Sequence, residues 1–259
     1  MIKRKSKAEI EALREAGRIV AEVHQLMKEM VRPGVSTGEL DERAEAYIRS
    51  RGGIPTFKGY HGFPASLCTS INDEVVHGIP SHERILKEGD IIGIDVGVTL
   101  KGYVGDGAWT YTVGKVDDEV LKLLKATEES LWRAIDAARV GNRVSDIGHA
   151  VESYIAPMGY GIVRDYCGHG VGTQLHEAPQ VPNYGRPRRG NRLRRGWTLA
   201  LEPMINMGSA ETVLEDDEWT VTTIDGQPSA HFEHSIAITD EGPLVLTTLD
   251  ESLHTRFLR

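Results

Sequence analysis

The chain has 259 residues, 40% of them apolar and 26% charged, the balance of a protein that folds around an apolar core and not of a disordered one. Its formal net charge of −8 argues against a surface built throughout for DNA or anionic lipid, because polyanion binding needs a positive face. Two cysteines, Cys68 and Cys167, form neither a CxxC pair nor a disulfide framework, which suits a reducing, cytoplasmic setting.

The N-terminus, Met1-Ile2-Lys3-Arg4-Lys5, is basic but runs into polar sequence instead of the apolar stretch of a signal peptide, and no stretch is apolar enough to suggest a membrane span. Ile10, Leu13, Val20, Met27 and Val31 recur at helical intervals and Pro33-Gly34 follows, so residues 7–31 are expected to form an amphipathic helix. Past it, the chain repeats itself. A shift of 107 residues lays Arg32, Gly34, Glu45, Tyr47, Ile48 and Gly52 on Arg139, Gly141, Glu152, Tyr154, Ile155 and Gly159, each set reading as turn, helix and glycine cap. The same shift lays Leu86, Gly89 and Asp95 on Leu193, Gly196 and Glu202. Between them, His77-Gly-Ile-Pro80 resembles His176-Glu-Ala-Pro179 at a shift of 99.

Two copies of such a long unit do not make a solenoid. They predict one domain over 1–259, made of two halves, roughly 1–114 and 115–249, facing each other across a pseudo-twofold axis. Apolar, β-rich runs at 90–99, 109–113, 198–205, 219–224 and 232–239 predict strands joined by short turns, with Asp225-Gly226 as a hairpin signal between the last two. The fold class expected is therefore α+β around a mainly antiparallel sheet.

Asp95 interrupts the apolar run Ile91–Gly97, and Glu202 interrupts Leu199–Met204 at the matching place in the second half. Asp106 and Glu233 stand one strand later in each half. Four converging acids repel one another, since two unit charges about 4 Å apart cost roughly 4 kcal/mol at an effective dielectric near 20, so divalent cations are the expected remedy. His169, in Gly168-His169-Gly170, is the candidate imidazole, and such a set suits Mn, Fe, Co or Zn. Taken singly, a buried Asp is as often a satisfied core residue and a Gly-His-Gly is usually a loop; the recurrence in both halves favours metal.

Across nearly the whole chain these motifs resemble the methionine aminopeptidases of the pita-bread fold, in their short bacterial type I form. The resemblance implies five metal ligands, Asp95, Asp106, His169, Glu202 and Glu233, holding two divalent ions, and two histidines, His77 and His176, that contact substrate. It also implies removal of the initiator methionine from nascent proteins when the second residue is small and uncharged. Glu202 would act as general base and His176 would stabilise the oxyanion, while Tyr60, Phe63, Cys68 and Trp219 would line the methionine pocket. Two positions depart from the common pattern: Phe57, where the best-known bacterial examples carry cysteine, and Leu175, where they often carry phenylalanine.

Competing readings are weaker. A Cys167–His169 thiol mechanism leaves the carboxylates unexplained, and Gly168-x-Gly170-x-Gly172 lacks the Walker lysine and the dinucleotide spacing. An X-Pro peptidase would share the ligands and differ in the pocket; a binding protein that had lost catalysis would lack ligands, and all are present. Six arginines, Arg186, Arg188, Arg189, Arg192, Arg194 and Arg195, fall within ten residues; such a run is usually a solvated loop, and the sharper reading is contact with ribosomal RNA. A monomer is expected.

Overall fold

The structure, a computed structural model, describes residues 2–250. Helix α1 (Lys7–Met30) starts at Ser6, whose hydroxyl accepts from the Glu9 N–H while the Glu9 carboxylate accepts from the Ser6 N–H, a capping box that satisfies two otherwise orphaned donors. Helix α2 (Thr37–Ser50) repeats the device with Ser36 and Glu39. Strands β1 (Ile54–Pro55), β2 (Leu67–Ile71), β3 (Glu74–Val76), β4 (Ile91–Leu100) and β5 (Tyr103–Thr112) follow, then α3 (Asp118–Ala137) and α4 (Val144–Ile155). The remainder is β6 (Gly161–Ile162), β7 (Gly168–Gly170), β8 (Glu177–Val181), β9 (Thr198–Leu201), β10 (Met204–Asn206), β11 (Thr212–Leu214), β12 (Val221–Thr223), β13 (Ser229–His231), β14 (His234–Ile238) and β15 (Pro243–Val245).

All strand pairings among the described residues are antiparallel, and the class is α+β. In the first half β4 pairs with β5 along its whole length and with β2 and then β1 on its other edge. In the second half the order is β15-β14-β9-β7-β8. The two sheets meet where β5 runs beside β14: the Glu233 N–H donates to the Ala108 carbonyl at 2.8 Å, and Ser235 clamps the Asp106 backbone, its hydroxyl donating to the carbonyl (2.8 Å) and accepting from the N–H (3.2 Å). One core joins α1 and α2 to β4 through Val20, Val23, Leu40, Ile92 and Ile94; another joins α3 and α4 to β9, β10 and β14 through Leu123, Leu131, Ile147, Leu199 and Ile236.

The 107-residue shift reappears in the backbone. Both α1 and α3 end at corresponding residues, and α2 and α4 begin at corresponding residues. Ser36 bridges Ile85 as Arg143 bridges Arg192; Gly34 donates to the Leu86 carbonyl as Gly141 does to that of Leu193; and Gly89 and Gly196 both have positive φ.

Several strand expectations need correction. The 198–205 run is broken into β9 and β10 at Glu202-Pro203, where proline has no N–H to give a ladder. Asp225-Gly226 is a turn but not a hairpin, because β12 pairs with β11 and β3 whereas β13 pairs with β10. Gly168-His169-Gly170 forms a strand between β8 and β9, and both positions need glycine, since a Cβ on Gly168 would lie 2.4 Å from the Ala200 carbonyl oxygen and one on Gly170 equally close to that of Ala178. The strand expected at 109–113 starts earlier, at Tyr103.

Candidate metal and substrate site

Register places the carboxylates. Asp106 lies opposite Gly97 on β4, and Asp95 is two residues from Gly97, so the period of two puts both acids on one face as diagonal neighbours. Across the seam, His169 lies opposite Ala200, two residues before Glu202. Glu233 completes the set from the link between β13 and β14. Asp106, His169 and Glu233 each bring a ligand atom within 4.8 Å of the others. His169 Nε2 stands 3.6 Å from Asp106 Oδ2 and 3.4 Å from Glu202 Oε1.

His169 Nδ1 is 3.0 Å from the Gly170 carbonyl, an acceptor only, so Nδ1 carries the hydrogen and Nε2 offers a bare lone pair to the acids. Asp95 Oδ1, Asp106 Oδ1 and Glu233 Oε1 are buried with no hydrogen-bond partner. Burial pushes the Asp106 carboxyl up to about 7. Burial, and then the charges of neighbouring acids, push Asp95, Glu202 and Glu233 well above the usual carboxylate range. Burial also holds His169 down to about 4, so its imidazole is neutral at pH 7. Unpaired acceptors crowded around a neutral imidazole are what a divalent cation stabilises, and carboxylate with imidazole is a donor set such ions accept.

A cavity of about 280 Å³ opens onto this cluster. Besides the five residues above it is lined by His77 and His176, by Tyr60, Phe63, Cys68 and Trp219, and by Phe57, His61 and Leu175. Phe63 and Trp219 meet edge to face at 5.1 Å, and Phe57, Phe63, Cys68 and Leu175 form one buried apolar cluster. Gly97 makes room for Phe57: a Cβ there would lie 2.6 Å from the phenylalanine ring. The Tyr60 hydroxyl is 2.8 Å from His176 Nδ1, and the His176 ring packs against that of His169 with centroids 4.4 Å apart. His77, with φ of 62°, stacks edge to face on Tyr166. A larger open cleft of about 700 Å³ behind the sheet, between α1 and β5, shares Glu233 but has none of Asp95, Asp106 or Glu202, so the chemistry belongs to the smaller cavity.

All the residues singled out for metal and substrate therefore border one cavity. Sequence reading missed His231, buried with Nε2 unpartnered and 3.6 Å from Glu202 Oε2, and Asn183, whose side-chain amide donates to the Glu202 carbonyl. A histidine two residues before Glu233 was the available signal for the first; Asn183 left none. The arginine run lies away from the cavity, on the chain between β8 and β9, where Arg195 pairs with Asp240 at 2.9 Å.

Residues 11–240 match metallopeptidase family M24, and the chain belongs to that family. Within it, the chain is 50% identical to a methionine aminopeptidase of Clostridium acetobutylicum, over 95% of this chain and 99% of the relative, and 52% identical to methionine aminopeptidase 1 of Bacillus subtilis over the same shares. The crystal structure of methionine aminopeptidase from Rickettsia prowazekii is 41% identical and superposes with a TM-score of 0.94, covering 95% of this chain and 100% of that one. The fold is the pita-bread fold of these enzymes.

Proposed function

We infer that this chain is a methionyl aminopeptidase that removes the N-terminal methionine of nascent polypeptides when the second residue is small and uncharged. The observation that carries the reading is the convergence of His169 Nε2 on the Asp106 and Glu202 carboxyl groups, with buried oxygens of Asp95, Asp106 and Glu233 left without hydrogen-bond partners, at a cavity of about 280 Å³ walled on one side by apolar side chains. Membership of family M24 implies a divalent metal. The finer proposal is two ions, Co, Mn, Fe or Zn, held by Asp95, Asp106, His169, Glu202 and Glu233. When bound, they supply Lewis acidity toward the attacking water and the scissile carbonyl.

The remaining steps fall to the chain's own groups. Glu202 takes the proton of the attacking water on a carboxylate oxygen and hands it to the leaving amine. His176, neutral because burial and His61 hold its pKa down, donates from Nε2 to the oxygen that gains charge if the Tyr60 hydroxyl donates to Nδ1. His77 lines the facing side, held neutral by burial with a pKa near 4. Phe57, Phe63, Cys68, Leu175 and Trp219 receive the methionine side chain and keep water from it.

We read the chain as a single metallopeptidase domain of two halves, near 1–114 and 115–249, acting as a monomer in the cytoplasm. No described helix is long and apolar enough to cross a membrane. The Arg186–Arg195 segment is proposed to touch ribosomal RNA where N-termini emerge. The test of the whole reading is product analysis after chelation and reconstitution with single metals: Met-Ala-Ser is cleaved to free methionine and Ala-Pro-Ala is not. Cleavage of the proline peptide alone would assign the site to X-Pro substrates.

A further inference from the structure

The segment before α1 reaches across the fold to the hairpin that presents His176. The Lys5 N–H donates to the Gly196 carbonyl at 2.6 Å, and its side chain, 4% exposed, sends Nζ to Glu177 Oε2 at 2.6 Å. The other Glu177 oxygen accepts from the N–H groups of Thr173 (2.9 Å) and Gln174 (3.3 Å). Glu177 pairs in register with Gly170, so this carboxylate closes the base of the β7–β8 hairpin, with His169 on one arm and His176 at the end of the turn. Burial alone would raise the Glu177 carboxyl, yet Lys5 and the two amides hold it below the usual range.

Two glycines are shaped to this connection. A Cβ on Gly172 would stand 2.4 Å from Glu177 Oε1 and 2.5 Å from Lys5 Nζ, and one on Gly196, which has φ of +84°, would stand 2.7 Å from the Lys5 carbonyl oxygen. The Gly172 carbonyl in turn accepts from the Val104 N–H on the first sheet (2.8 Å). A half-buried carboxylate deprived of its cation turns toward water, because a charge partly out of water is costly without a partner. The two amides that Glu177 fixes would move with it, and His176 is one residue away.

We propose that Lys5 is a positioning residue, which through Glu177 sets the turn of residues 172–176 and so the place where His176 stands. The proposal rests on the reading of His176 given above. It makes the N-terminal strap part of the active-site scaffold although no atom of Lys5 lines the cavity.

The experiment compares Lys5→Met, which keeps the length of the stem and removes the charge, with wild type and with both proteins carrying His176→Ala, all as full-length, metal-loaded enzyme. Displacement of a reacting group by an ångström costs on the order of a hundredfold, and a partial shift of His176 should lower kcat about tenfold with KM nearly unchanged. Metal stoichiometry should equal that of wild type. In the His176→Ala background Lys5→Met should lower kcat no further. Hydrogen exchange at the Thr173 and Gln174 amides reads the hairpin without turnover, and both should exchange faster in Lys5→Met. Unchanged kcat, or an equal loss with and without His176, overturns the proposal, as does unchanged exchange at both amides in a folded variant. If His176→Ala itself leaves kcat intact, the role given to His176 fails, and exchange at the two amides still decides whether Lys5 sets the hairpin.

Discussion

Replacing Asp106 by asparagine should act in opposite directions on the metal-free and metal-loaded protein. In the metal-free protein the Asp106 carboxyl titrates near 7, against an ordinary 3.8, because it is buried. The native state therefore holds a proton over a range in which the unfolded chain has released it. This contribution to stability is fully present below about pH 3.8 and is lost as the pH rises through about 7. The shift is worth roughly 4 kcal/mol in all, at about 1.4 kcal/mol per pH unit, of which about 3 kcal/mol falls between pH 5 and pH 8. Asparagine has the same shape and no charge to lose. It also relieves Asp95, Glu202 and Glu233, each of which Asp106 pushes upward. Protein stripped with EDTA and melted at pH 5 and pH 8 should show a drop in Tm of roughly 8 °C from this group in wild type, and a smaller one in Asp106→Asn. Added Mn²⁺ should then raise the wild-type Tm strongly and that of the variant weakly. A stripped variant as sensitive to pH as wild type, with an equal gain from metal, would refute the account of the cluster.

His176→Ala should keep full metal stoichiometry while kcat falls by about a hundredfold or more, the scale of removing one donor to a developing oxyanion; loss of metal instead would make His176 a ligand. The chain begins Met1-Ile2, and a β-branched second residue crowds the scissile carbonyl, so the peptide Met-Ile-Lys should be cleaved on the order of a hundredfold more slowly than Met-Ala-Lys. Comparable rates, measured by methionine release, would remove the steric basis of the specificity. Changing the six arginines of 186–195 to serine should weaken cosedimentation with ribosomes and flatten its dependence on salt, and identical binding curves would return that segment to the role of a solvated loop.

The parts of the site that could be read from sequence are those whose cost is local. A carboxylate in the run Ile91–Gly97 is expensive wherever that strand lies, and its echo at Glu202 signals a shared purpose. The first helix was legible for the same reason, since the spacing of Ile10, Leu13, Val20 and Met27 and the Pro33-Gly34 stop are local signals. Long-range pairing was not. Whether Asp225-Gly226 joins two partners depends on where β12 and β13 find edges, and those edges belong to β11, β3 and β10, some of them far away in sequence. His231 looked like one histidine among ten, and its significance comes from a distance to Glu202 that no spacing predicts. Lys5 was hidden in a basic N-terminus of ordinary appearance, although its side chain is among the most enclosed charged groups in the fold.

The ring of Phe57 over Gly97 also bears on how the enzyme withstands chemical insult. A thiol at position 57 would stand in the cavity wall, where an electrophile or peroxide that entered could modify it and block the pocket. That place is taken by a hydrocarbon ring, and the one thiol in the cavity wall, Cys68, is buried beside the carboxylates; in the metal-free protein burial, and then Asp95, raise its pKa. A thiol kept protonated is a poor nucleophile and a poor target for oxidation. With Phe57 in the wall, the cavity presents a single thiol, and that one is enclosed.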